Sequence, residues 1–213
     1  GIDFLDEHRF YYGEPGYYNN DNPAKRYGRL TLYNLENINS YSHETAHDLS
    51  PEDDLTDNAR FGQGVSINGN FLAVTASLNE KAGDDTGSLF IYKKDANGNF
   101  VNHDTSYNVI HGDGTTLRKI GGNGLVSLKG DYVVVNAEIK EDNSWRKGLV
   151  VYKKDENDDW LHHVSIPIYY TSSGTKNYNW PADMRFTGSL IYATAYVGTA
   201  ILIFKLDGTL KQY

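Results

Sequence analysis

A stretch of about sixty residues returns four times along this chain, and each copy reads as short apolar runs separated by Gly, Asn and Asp turns. Self-similarity at a fixed period marks an array of like supersecondary units, none of which can bury its apolar face alone. The clearest copy runs Phe61-Gly62-Gln63-Gly64-Val65-Ser66-Ile67-Asn68-Gly69-Asn70-Phe71-Leu72-Ala73-Val74-Thr75-Ala76, then Gly87 to Asp95, then Phe100. The next keeps that order with Ile120-Gly121, Leu125 to Asp131, Tyr132 to Ala137, Gly148 to Asp155 and Trp160. Tyr33, Tyr92, Tyr152 and Phe204 close the third run of each unit, and Tyr41, Phe100 and Trp160 follow eight residues later in the first three. Aromatics at matched places imply one packing role used repeatedly. The units divide at approximately 1–58, 59–118, 119–182 and 183–213.

Residue type makes these runs strands. Leu149-Val150-Val151-Tyr152 and Ile201-Leu202-Ile203-Phe204 are β-branched or aromatic and too short for helices. Asn68-Gly69-Asn70 and Lys129-Gly130-Asp131 sit between apolar runs, where a tight hairpin needs residues tolerant of positive φ. The sequence therefore predicts an all-β chain, a β-propeller-like array of about four four-stranded antiparallel blades. Either four broad blades close on themselves, or the array is part of a larger propeller whose further blades come from flanking sequence or another chain.

Arg60-Phe61-Gly62-x-x-Val65-Ser66-Ile67-x-Gly69-x-x-Leu72-Ala73-Val74, followed by Gly87-x-x-x-Ile91-Tyr92, resembles the FG-GAP repeat of integrin-α-like propellers and many bacterial surface proteins. Tyr12-Gly13-Glu14-Pro15 is similar to the element behind the second half of that name. The resemblance is close in unit two, weaker in unit three, where Ile120-Gly121 replaces Phe-Gly, and loose in units one and four. In unit four Met184-Arg185-Phe186 has no glycine following. The resemblance implies an extracellular or cell-surface binding scaffold, usually of seven blades and rarely catalytic.

Composition fits that expectation and narrows the partners. A net charge of −8 across 213 residues argues against nucleic acid and anionic membrane, both of which select basic patches. With no cysteine there is no disulfide framework. No apolar run reaches the ~18 residues of a membrane-spanning helix, so no membrane insertion is expected.

His43-Glu44-Thr45-Ala46-His47 matches the zinc-peptidase pattern, in which a helix places two imidazoles on one face with a glutamate as general base. Its flanks, Asn39 to Ser42 and Asp48 to Pro51, offer no apolar face for a buried helix. The repeat register instead lays Tyr41 to Leu49 over Phe100 to Asn108 and Trp160 to Ile168, as outer strands. In a strand the two histidines lie about 13 Å apart, too far to share one metal. The segment is read as an outer strand, with no metal site assigned there.

Lys93-Lys94-Asp95-Ala96-Asn97-Gly98-Asn99 and Lys153-Lys154-Asp155-Glu156-Asn157-Asp158-Asp159 occupy the same hairpin in successive units. Alternating Asp and Asn oxygens can ligate Ca²⁺, yet neither run has the twelve-residue loop with a terminal glutamate. Turn chemistry accounts for both without an ion. Asn79 to Asp85 and Asn19-Asn20-Asp21-Asn22 are weaker calcium candidates of the same kind.

Of 17 tyrosines, several gather in the insertion of unit four, Ile168-Tyr169-Tyr170-Thr171 through Tyr178-Asn179-Trp180-Pro181. Rigid rings with a polar tip suit recognition of sugars and peptides, and insertions often carry function. Tyr169, Tyr170, Tyr178 and Trp180 are the candidate ligand-binding residues. No catalytic residue is assigned, since no nucleophile motif or phosphate-binding glycine loop is present. The expected function is a non-enzymatic adhesion or binding module for a protein or glycan. A carbohydrate-active enzyme on the same scaffold is the alternative, and a zinc peptidase through His43 and His47 the more distant one.

Overall fold

The computed structural model describes residues 1–17, 27–37, 40–43, 48–101, 107–172, 175–178, 180–195 and 201–211. Among them there is no α-helix, only a one-turn 3₁₀ segment at Glu52–Asp54. No helix there is long and apolar enough to cross a membrane.

Strands pair in chain order as antiparallel meanders. The first sheet holds β1 (Ile2–Phe4), β2 (Arg9–Glu14), β3 (Arg29–Asn37) and β4 (Ser40–His43). The second holds β5 (Phe61–Asn68), β6 (Phe71–Ala76), β7 (Ser88–Lys93) and β8 (Tyr107–His111). The third follows β10 (Val126–Lys129), β11 (Tyr132–Glu141), β12 (Ser144–Lys154) and β13 (Trp160–Pro167), with the short β9 (Leu117–Arg118) also paired to β11. The fourth holds β16 (Pro181–Phe186), β17 (Leu190–Ala195) and β18 (Ile201–Lys205), and β14 (Tyr169–Ser172) pairs with β15 (Thr175–Tyr178) as a separate hairpin.

The first strand of each sheet is its hub. β1 lies against β5, β5 against β10, and β10 against β16, so successive sheets stand side by side as propeller blades do. Period-two alternation then gives the second and third blades one face toward the blade before and one toward the blade after. Leu72, Val74, Phe90 and Tyr92 face the first blade, packed with Tyr11, Leu30 and Leu32. Ala73, Leu89 and Ile91 face the third, against Val133, Val135, Val150 and Tyr152. Val134, Leu149 and Val151 meet Ile191, Ala193 and Phe204 of the fourth. The described residues thus form three inter-blade cores, and both Tyr92 and Tyr152 are buried at the same register of two of them.

The Phe-Gly dipeptide joins blades through the backbone. Phe61 is fully buried edge-on to Phe90 at 5.2 Å, and its N–H donates to Tyr27 O at 2.8 Å in the preceding blade. Gly62 follows at φ 88°, where a Cβ would lie 2.7 Å from Arg29 O and 2.9 Å from Gly13 Cα. Only glycine meets both demands. At the next joint Ile120 takes the place of Phe61, forming a parallel bridge to Gly87 as Phe61 does to Gly28.

Two expectations from the sequence change. Phe100 does not open an outer strand, because that strand begins at Tyr107, which pairs with Tyr92. Phe100 is instead buried edge-on against Tyr11, 6.1 Å away, plugging the outer end of the first core. Phe186, set above against the Phe-Gly phenylalanine, pairs with Ile191 just as Ile67 pairs with Leu72. It belongs inside the hub strand, so Met184-Arg185-Phe186 matches Val65-Ser66-Ile67.

Candidate functional site

The insertion of unit four leaves the blade pattern altogether. β14 and β15 pair only with each other, Tyr169 opposite Tyr178 and Tyr170 opposite Asn177, outside all four blades. Tyr169 is 39% exposed. It borders a groove of about 310 Å³ between the outer parts of the third and fourth blades, lined also by Glu141, Ser165, Pro167, Leu202 and Leu210. An aromatic face, a carboxylate and two leucines converge there, a lining able to hold an apolar body and orient a polar group on it. The side chains of Tyr170 and Tyr178 lie outside the described residues.

Trp180 is half-buried and packs on the third blade, where a Cβ on Gly122 would meet its Cζ2 at 3.0 Å. Lys147 connects it with the hairpin. The Lys147 carbonyl accepts from Ile168 N–H at 3.0 Å, and its ammonium lies 5.8 Å from the Trp180 ring centroid. Trp180 is therefore braced by its neighbours, while Tyr169 is the ring presented to solvent.

Sequence reading missed Glu141, because it ended one strand at Ala137 and resumed at Gly148. In fact β11 and β12 continue to Glu141 opposite Ser144 around Asp142-Asn143, which have φ of 49° and 60°. Consecutive positive φ values in a two-residue loop suit Asp and Asn, and that dipeptide was the available signal. The same hairpin carries Trp145, with the Arg118 guanidinium 4.3 Å from its ring centroid.

Around the proposed zinc motif only part of the chain is described. Glu44 and His47 lie outside the described residues. His43 ends β4, its Nε2 2.9 Å from Asp48 Oδ2 and its ring 5.6 Å from that of Tyr33. Among the described residues no cluster of three or more His, Asp and Glu side chains is placed to hold a metal. A surface polar contact of this exposure contributes at most about 1 kcal/mol, so His43→Ala is expected to lower stability by less than about 1 kcal/mol. Urea unfolding of the variant checks this.

The acidic hairpins are closed by their own amides. Asp95 Oδ1 accepts from Asn97 N–H and Asn99 N–H, both at 2.9 Å, and Asp155 Oδ1 accepts from Asn157 and Asp159 in the same way. The Asn99 amide, with that of Asn97, holds the Asp95 carboxyl below the ordinary aspartate range. Asp158 is held down by the ammonium groups of Lys154 and Lys93, the latter from the neighbouring blade. Asn79 is buried and spent on Thr56, Asp54 O and Ser88. These loops are turns and straps in this structure, and residues 19–22 lie outside the described ones.

With the geometry in hand, comparison with known proteins gives one positive finding. Residues 47–92, which run from the end of the first unit through the hub strand of the second blade to Tyr92, match the FG-GAP repeat family. That segment contains Phe61-Gly62 and Gly87, the glycine that bridges Ile120 at the next joint. No curated protein matches the chain.

Proposed function

We propose that the chain is a non-catalytic binding module that presents a protein or glycan partner with the β14–β15 hairpin and the groove beside Tyr169, in an extracellular or cell-surface setting. The observation that carries this reading is a hairpin outside every blade, holding an exposed tyrosine at the mouth of a groove with a carboxylate inside. Scaffolding needs none of these features, and exposing apolar surface is costly unless a partner covers it. The acidic net charge favours neutral or basic partners.

Tyr169→Ala combined with Leu210→Ala is expected to weaken retention of the ligand by about 1–4 kcal/mol, the range of an anchor residue. Both side chains are exposed, so the melting temperature should hold. A glycan array and a cell-surface pull-down of wild type and variant supply the measurement. Equal retention by both proteins sinks the assignment, and turnover of any arrayed glycan would replace binding by catalysis.

A further inference from the structure

Matched positions at successive joints hold matched partners, and one cation departs from that rule. Arg60 and Lys119 immediately precede Phe61 and Ile120, the residues that bridge Gly28 and Gly87, and both take a left-handed backbone, with φ of 60° and 51°. At the later joint Lys119 Nζ lies 3.7 Å from Asp85 Oδ2 and 3.8 Å from Glu138 Oε1, while Glu138 Oε2 accepts from Arg118 Nε at 2.7 Å. That cation is paired. Leu72 and Val133 stand opposite Tyr92 and Tyr152, and counting on from them makes Ser77 the counterpart of Glu138 and Leu78 the counterpart of Ile139. Ser77 is buried and donates its hydroxyl to Gln63 Oε1, so the second blade offers Arg60 no carboxylate. Among the described residues no ion pair involves Arg60. Leu78 is 39% exposed where Ile139 is 7% exposed.

A pocket of about 550 Å³ opens where those two partners are missing, lined by Pro15 and Gly16 of the first blade and by Asn58, Arg60, Gln63 and Leu78. We propose that it is a binding site for a small organic carboxylate with an apolar body, the ligand's carboxylate taking the place at Arg60 that Glu138 takes at the next joint. The volume suits a small molecule, since such pockets span about 300–1,000 Å³. A guanidinium presents parallel N–H donors that both oxygens of one carboxylate can meet. Leu78 offers the apolar contact, and its N–H donates to Ala59 O at 3.0 Å, which fixes that wall one residue from the cation. A ligand held there would span the joint between the first two blades. In a chain of net charge −8 a cation without a counter-charge is the exception, and this pocket is separate from the groove at Tyr169.

Amide NMR of the 213-residue chain, titrated with hexanoate, 3-phenylpropanoate and the neutral amide of each, tests the site. Both acids should shift the Ala59, Gln63 and Leu78 signals saturably, with each neutral amide weaker by about tenfold or more. Arg60→Gln should erase that preference and Arg60→Lys keep part of it, since an ammonium holds the charge without the paired donors. Arg60 is exposed, so neither change should disturb the fold. Ser77→Glu restores inside the chain the carboxylate found at the next joint, so a folded variant should no longer respond to either acid. If that variant does not fold, the two Arg60 variants decide. No saturable shift with either acid, equal responses to acid and amide, or an unchanged response in Arg60→Gln overturns the proposal. So does inorganic phosphate binding as tightly as the acids, which would mark a general anion site.

Discussion

Tyr92→Ala is expected to lower the free energy of unfolding by about 3–5 kcal/mol, the cost of deleting a large buried side chain. Its ring is fully buried between the first two blades, 4.9 Å from Tyr107 and 6.4 Å from Phe61 by centroid, so truncation opens a cavity with rigid sheet on both sides. Burial drives the Tyr92 phenol well above its ordinary value of 10.0, so the folded protein keeps it neutral; the loss should hold constant below that value and shrink above it, where only the unfolded chain ionises. Urea unfolding supplies the test, and a loss below about 1 kcal/mol would place the ring outside the core.

Gly62→Ala should cost roughly 2–5 kcal/mol, by adding the strain of a left-handed backbone, about 1–2 kcal/mol, to overpacking of about 1–3 kcal/mol. The new methyl would meet backbone atoms of Arg29 and Gly13, which cannot swing aside as a flexible side chain would. Gly69→Ala is the internal control. It shares the positive φ, 59°, but its Cβ would meet nothing within 4 Å, so it should show the strain alone. Equal losses in the two variants would mean that the Gly62 contact carries no weight.

The blade pattern was legible in the sequence because neighbour-on-neighbour packing repeats its demands. Leu72, Val133 and Ile191 recur opposite Tyr92, Tyr152 and Phe204, and pairing sets them on one face in each sheet. Phe100 and Phe186 were misplaced for a shared reason, since a fixed spacing was carried across connections of unequal length. The step from Phe61 to Val65 is four positions and the equivalent step from Ile120 to Val126 is six, so register drifts wherever a loop grows. The groove at Tyr169 was half legible. A tyrosine-rich insertion stands out by composition, whereas Glu141, Leu202 and Leu210 come from three separate places and meet only through the sheet geometry.

Contact restricted to neighbours also makes protection against local opening uneven along the arc. The second and third blades are sandwiched, and Val74 and Val134 lose their cover only when an adjoining blade departs. Among the described residues the first and fourth blades are each packed from one side, so in the isolated 213-residue chain transient unfolding should begin at them and move inward. The β14–β15 hairpin stands where the sandwiched third blade meets the one-sided fourth, and its groove draws on both. A molecule seated there would act as a clasp on the looser end, slowing amide exchange in β17 and β18 without touching either strand's hydrogen bonds.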